Sequence, residues 1–64
     1  EQYVIATKDD PLNMRKNPDI TSNIVTRIPR NTTISVDEID NGWAKVSWNG
    51  FDGYCSMDYL KKAE

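Results

Sequence analysis

Asn49-Gly50 separates two runs, Trp43 to Trp48 and Phe51 to Cys55, and no other feature of these 64 residues restricts the fold so tightly. Asn followed by Gly tolerates the positive φ angles of a two-residue type I′ turn, so the dipeptide predicts a β-hairpin. Such a short loop also sets the register. Trp48 faces Phe51, Val46 faces Gly53 and Ala44 faces Cys55 on one side of the sheet, which is the apolar and therefore the core side. Ser47 faces Asp52, Lys45 faces Tyr54 and Trp43 faces Ser56 on the other. Trp43 and Tyr54 thus become diagonal neighbours outside the core.

Elsewhere the apolar residues also recur with a period of two, and the breaks carry Asn, Asp, Gly and Pro, the pattern of strands joined by turns. Tyr3 to Thr7 reads as a first strand, ended by Lys8-Asp9-Asp10-Pro11. Leu12-Asn13-Met14-Arg15 alternates next. Asn17-Pro18-Asp19 breaks the chain, Thr21-Ser22-Asn23 suits one helical turn, and Ile24 to Ile28 resumes an extended path to Pro29-Arg30-Asn31. Thr32 to Ile39 is β-branched, with Ile34 and Val36 on one face. Asp40-Asn41-Gly42 is another turn. Ser56 is placed to cap a 3-10 turn over Met57-Asp58-Tyr59, and residues 61–64 read as the start of a linker. The expectation is an all-β chain, a small partly open barrel of five to six short strands with one 3-10 turn near the C-terminus. Its core is expected from Val4, Ala6, Leu12, Met14, Ile24, Ile28, Ile34, Val36, Ala44, Val46, Cys55 and Leu60, with Trp48 and Phe51 covering one end.

A chain of this length makes a single domain, here residues 1–64 with a core over 3–60, and must stabilise it with a small apolar interior. One cysteine excludes an internal disulfide, and the absence of histidine removes the usual zinc ligand sets, so no metal or cofactor is expected. Eight basic against ten acidic residues give a net charge of -2 with no basic cluster, which argues against nucleic acid. No apolar run is long enough for a membrane span. The start at Glu1, without methionine, suggests a domain cut from a longer protein or a processed product.

Trp43, set outside the core by the register, has the flat face that stacks on a peptide or sugar, although packing on the loop at Asn17 and Pro18 would also accommodate it. Tyr54 and Tyr59 add hydroxyls to the same region or act as barrel staples. Asn13 and Arg15 point outward beside Leu12 and Met14, suited to a peptide backbone or carboxylate, as solvated strand residues also are. Cys55 faces the core and has no histidine to activate it, so it reads as a small hydrophobe. Asp9/Asp10 and Asp37/Glu38 lack the spaced oxygens of a calcium loop and read as solvated charge. No nucleophile with a base appears, and the expectation is a non-enzyme.

Leu12-Asn13-Met14-Arg15, Asn17-Pro18, Ile24-Val25, Gly42-Trp43-Ala44-Lys45-Val46, Asn49-Gly50, Gly53-Tyr54 and Asp58-Tyr59-Leu60 together resemble the bacterial SH3-like family, in order and over nearly the whole chain. Met14 and Cys55 stand where that family usually has valine, and Asn17 and Asn31 stand for turn glycines. The resemblance implies an SH3-like barrel that binds peptidoglycan peptide or cross-bridge and targets a larger secreted or surface protein, such as a peptidoglycan hydrolase, to the bacterial cell wall. It implies an extracellular, cell-wall or cell-surface setting, a monomer, and neighbouring domains in the same chain. Trp43, Tyr54 and Tyr59 fall where eukaryotic relatives have groove aromatics for proline-rich helices, but the acidic loop and second-strand aromatics of that groove are expected to be missing. The alternative function is a protein-interaction or spacer module that packs on a neighbouring domain or binds an extended peptide.

Overall fold

The computed structural model describes residues 1–63. Seven strands and one short turn follow in order: β1 (Gln2–Ile5), β2 (Leu12–Arg15), β3 (Ile24–Ile28), β4 (Thr33–Asp40), β5 (Trp43–Trp48), β6 (Phe51–Ser56), a 3-10 turn (Met57–Tyr59) and β7 (Leu60–Lys62). All neighbours are antiparallel in the spatial order β3-β2-β6-β5-β4-β1-β7. Ile28 from one end of that order and Ile5 from near the other belong to a single buried cluster, with Leu60 packed against it. A flat sheet would hold these strands far apart, so the sheet is curled around its apolar face as a partly open barrel.

The β5–β6 hairpin has the register expected from its turn, from Trp48 opposite Phe51 to Trp43 opposite Ser56. Asn49 and Gly50 both take positive φ, 53° and 82°, as a type I′ turn requires. Asn41 and Gly42 repeat this geometry between β4 and β5, at 55° and 83°. Asn31, standing for a turn glycine, is also left-handed, with φ 68°. A carboxamide side chain makes that region accessible at small cost.

β1 departs from the expected phase. Tyr3 and Ile5 are buried, whereas Val4 is half-buried and Ala6 exposed. Both phases of Tyr3-Val4-Ile5-Ala6 are apolar, and burying Tyr and Ile removes more surface from water than burying Val and Ala. Ile24, also expected inside, is 39% exposed because a register shift between Met14 and Arg15 leaves it at the end of β3, opposite Arg15. Phe51 is exposed rather than covering an end of the barrel, while Trp48 and Leu60 are half-buried against the core. The other expected core residues, Leu12, Met14, Ile28, Ile34, Val36, Ala44, Val46 and Cys55, are buried.

Thr21-Ser22-Asn23 forms a turn without helix. The Asp19 carboxylate accepts from the Thr21 backbone N–H and hydroxyl, and Ser22 Oγ accepts from the Asn17 N–H, so side chains take up donors within a compact loop. Ser56 caps the 3-10 turn as expected, its Oγ accepting from the Asp58 N–H at 3.3 Å. The strand count exceeds the expected five to six. Lys61 and Lys62, read from the sequence as linker, pair with Val4 and Tyr3 instead, and the Ala63 N–H donates to the Gln2 carbonyl. An exposed Glu1–Lys62 ion pair at 2.8 Å lies on this edge. The last residue of the expected linker, at position 64, lies outside the described residues.

Candidate binding cleft

β2 crosses β6 closely beside the candidate site. Arg15 pairs with Tyr54, and Gly53 leaves room for the passing Met14 side chain. Beyond this crossing the β2–β3 loop is drawn over the outer face by Arg15, whose Nη1 donates to the Ser22 carbonyl at 3.0 Å. The Lys16 N–H donates to the Asn23 carbonyl at 2.9 Å and closes the loop at its base. Asp19 in the same loop is held below the usual carboxylate range by the Thr21 backbone N–H first and the Thr21 hydroxyl second.

A cleft of about 540 Å³ opens between this loop, the β1–β2 loop and the 3-10 turn. Trp43, Tyr59, Asn13 and Arg15 all line it, so four of the five residues singled out in the sequence share one recess. Tyr54 does not line it. Tyr54 lines a second recess of about 250 Å³, with Trp43 as the wall common to both. The register puts Tyr54 opposite Lys45, two residues ahead of Ser56 on β6, while Tyr59 is in the 3-10 turn, and Pro18 of the β2–β3 loop lines the recess on the Tyr54 side. Pro18 lines the smaller recess together with the half-buried Trp43.

The larger cleft also holds residues that the alternation pattern did not single out. Asp9 and Asp10, read as solvated charge, are exposed and line it, giving the cleft an acidic wall. It is supplied by the β1–β2 loop ahead of Leu12 rather than by the Leu12–Met14 segment, and the Thr7 hydroxyl donates to the Asp10 carbonyl to hold its bend. Ile20, 71% exposed, lines the same recess. An isolated isoleucine among Asn, Pro, Asp and Thr was the available signal, since it belongs to no alternating run. Together the walls offer ring faces, an apolar side chain, carboxylates and a guanidinium, which suits an extended polar peptide better than a wholly apolar ligand.

Cys55 is fully buried, and burial pushes its thiol up to about 11 from the ordinary 9.0. Among the described residues no group of three or more His, Cys, Asp or Glu is placed to hold a metal ion. Cys55 is expected to resist a thiol reagent at pH 8 in the folded chain and to react fully once urea is added. Prompt labelling without denaturant would contradict its burial. Because the folded thiol titrates higher than the unfolded one, its stabilising effect is complete below pH 9 and is lost as pH rises toward about 11.

No helix of the described chain is long and apolar enough to cross a membrane. Among curated proteins the chain is similar to one named "Putative N-acetylmuramoyl-L-alanine amidase YrvJ", from Bacillus subtilis (strain 168). The two are 29% identical over 56 residues, which is 88% of this chain and 11% of the relative. The chain therefore spans a small part of that relative's length. A family model described as Bacterial SH3 domain matches residues 10–61, from the acidic wall of the cleft to the middle of β7. With that match over most of its length, and with the curled antiparallel sheet and its 3-10 turn before the last strand, the chain belongs to the bacterial SH3 domain family.

Proposed function

We propose that this domain is a non-catalytic binding module that holds peptidoglycan peptide in the cleft between the β1–β2 loop, the β2–β3 loop and the 3-10 turn. Through it a larger secreted or surface protein is targeted to the bacterial cell wall. The observation that carries the reading is the convergence of Trp43, Tyr59, Asn13 and Arg15, from three separate segments, on one recess with acidic and apolar walls. Ring faces supply contact area at low entropic cost, and the polar groups orient a peptide main chain. The similarity to part of a protein named as an amidase supports the wall as the source of that peptide. Catalysis then belongs to another part of the parent protein.

Two measurements test this. In sedimentation with purified peptidoglycan the domain is expected to pellet, and Trp43→Ala to weaken pelleting at least about tenfold, the loss typical of an aromatic anchor. Its fold is checked by the dispersion of the amide spectrum. A wild-type domain that stays wholly soluble at high loading would refute wall targeting. In a two-dimensional NMR titration, soluble muropeptides are expected to shift Trp43, Tyr59 and Asn13. Shifts produced instead by a proline-rich peptide alone would favour the protein-interaction alternative.

A further inference from the structure

Trp43 is a partition as well as a wall, and the smaller recess on its other side has a different chemistry. That recess is formed by Glu38 and Asp40 of β4, Trp43 and Lys45 of β5, Tyr54 of β6 and Pro18 of the β2–β3 loop. A β-bulge between Val36 and Glu38 creates the arrangement. Val36 pairs with Val46, but after the bulge Glu38 pairs with Lys45, Ile39 with Ala44 and Asp40 with Trp43. Uninterrupted pairing would have put Glu38 opposite Ala44 and turned both acidic side chains to the inner face, with Ile39 outside. The bulge therefore places the two carboxylates on the outer face, beside the Trp43 and Tyr54 rings.

The charges do not cancel. Two carboxylates against the single Lys45 ammonium leave one negative charge in excess, and among the described residues neither Glu38 nor Asp40 forms an ion pair. Aromatic faces and carboxylates in one small recess are the combination that recognises a cation, since the ring quadrupole and the carboxylate both attract it. Asp40, directly opposite Trp43 at the hairpin turn, is the carboxylate placed to share a cation with that ring.

We propose that this second recess binds the side-chain primary ammonium of a peptide whose main chain occupies the larger cleft across Trp43. The domain would then prefer peptides whose diamino acid keeps a free amine over those in which the amine is acylated, as it is in a cross-link. The two-cleft arrangement rests on the peptide-binding reading above. The ammonium site itself rests on the bulge, the two rings and the uncancelled charge.

The test uses a short lysine-containing peptide and its Nε-acetyl analogue, each titrated into the labelled domain and followed at the Trp43 indole N–H and the Tyr54 ring. The free amine is expected to shift both signals and to bind more tightly than the acetylated peptide. Asp40→Asn and Glu38→Gln are each expected to weaken it by about two- to five-fold with amide spectra otherwise unchanged. Equal shifts from both peptides, or shifts that bypass Trp43 and Tyr54, would overturn the inference. A second arm compares native cell walls with walls whose amines have been acetylated. Reduced pelleting on acetylated walls supports the site and identifies the wall as the source of the amine. Equal pelleting on both walls overturns the preference while wall targeting stands. No pelleting on either wall counts against targeting, and the peptide titration then still decides whether the recess takes an ammonium.

Discussion

Gly53→Ala is expected to destabilise the domain by about 3 kcal/mol, the upper part of the range for overpacking a close contact. A chain of this size is stabilised by only about 3 to 10 kcal/mol in all, so the loss amounts to between about a third of that stability and all of it. An added Cβ would lie 2.6 Å from Met14 Cγ and 2.7 Å from the Arg15 carbonyl oxygen. The Met14 side chain can move at modest cost. The carbonyl cannot move without disturbing β2 where it crosses β6, and the Arg15–Tyr54 pairing is the bond between those strands. Gly50→Ala provides the contrast, because nothing lies within 4 Å of its added Cβ and the penalty comes only from φ +82°. That strain is worth about 1 to 2 kcal/mol. Urea melts should rank Gly53→Ala well below Gly50→Ala, and the reverse order would show that the crossing is looser than described.

Ile5→Ala should cost about 2 to 5 kcal/mol, as for a fully buried branched side chain, while Val4→Ala should cost less than about 1 kcal/mol. Ile5 has no exposed surface, and its backbone is tied twice to the Asn31–Thr32 segment: its N–H donates to the Thr32 carbonyl and its carbonyl accepts from the Asn31 N–H, each at 2.9 Å. Truncation therefore leaves a cavity in a segment with little freedom to collapse. Val4 is half-buried on the opposite face of the same strand. The comparison reads the phase of β1 directly from denaturation midpoints. A larger loss at Val4 than at Ile5 would restore the phase that alternation alone suggested.

The β5–β6 hairpin was legible residue by residue because a two-residue loop of Asn and Gly leaves one register, and one register assigns every side chain to a face. β1 was not, because Tyr3 and Ile5 compete with Val4 and Ala6 and only the completed core decides between them. β7 was hidden for a different reason: Leu60-Lys61-Lys62 carries one apolar residue, and the strand exists through backbone pairing with β1. The site divides along the same lines. Trp43 was placed outside the core by the hairpin register, whereas the separation of Tyr54 from Tyr59 depends on where the β2–β3 loop lies. The acidic wall from Asp9 and Asp10 is set by the path of the β1–β2 loop, which side-chain pattern does not encode. The bulge in β4 was equally silent, since Asp37 and Glu38 are both polar and either phase satisfies alternation.

The pairing of β1 with β7 has an effect on any protein that carries this domain between other segments. The chain enters along Gln2 and leaves past Ala63, which are joined by a 2.9 Å hydrogen bond, although the domain itself extends 29 Å along its longest axis. It hangs from the polypeptide as a pendant and adds almost nothing to contour length between its flanks. The reach between neighbouring segments is then governed by the linkers on either side.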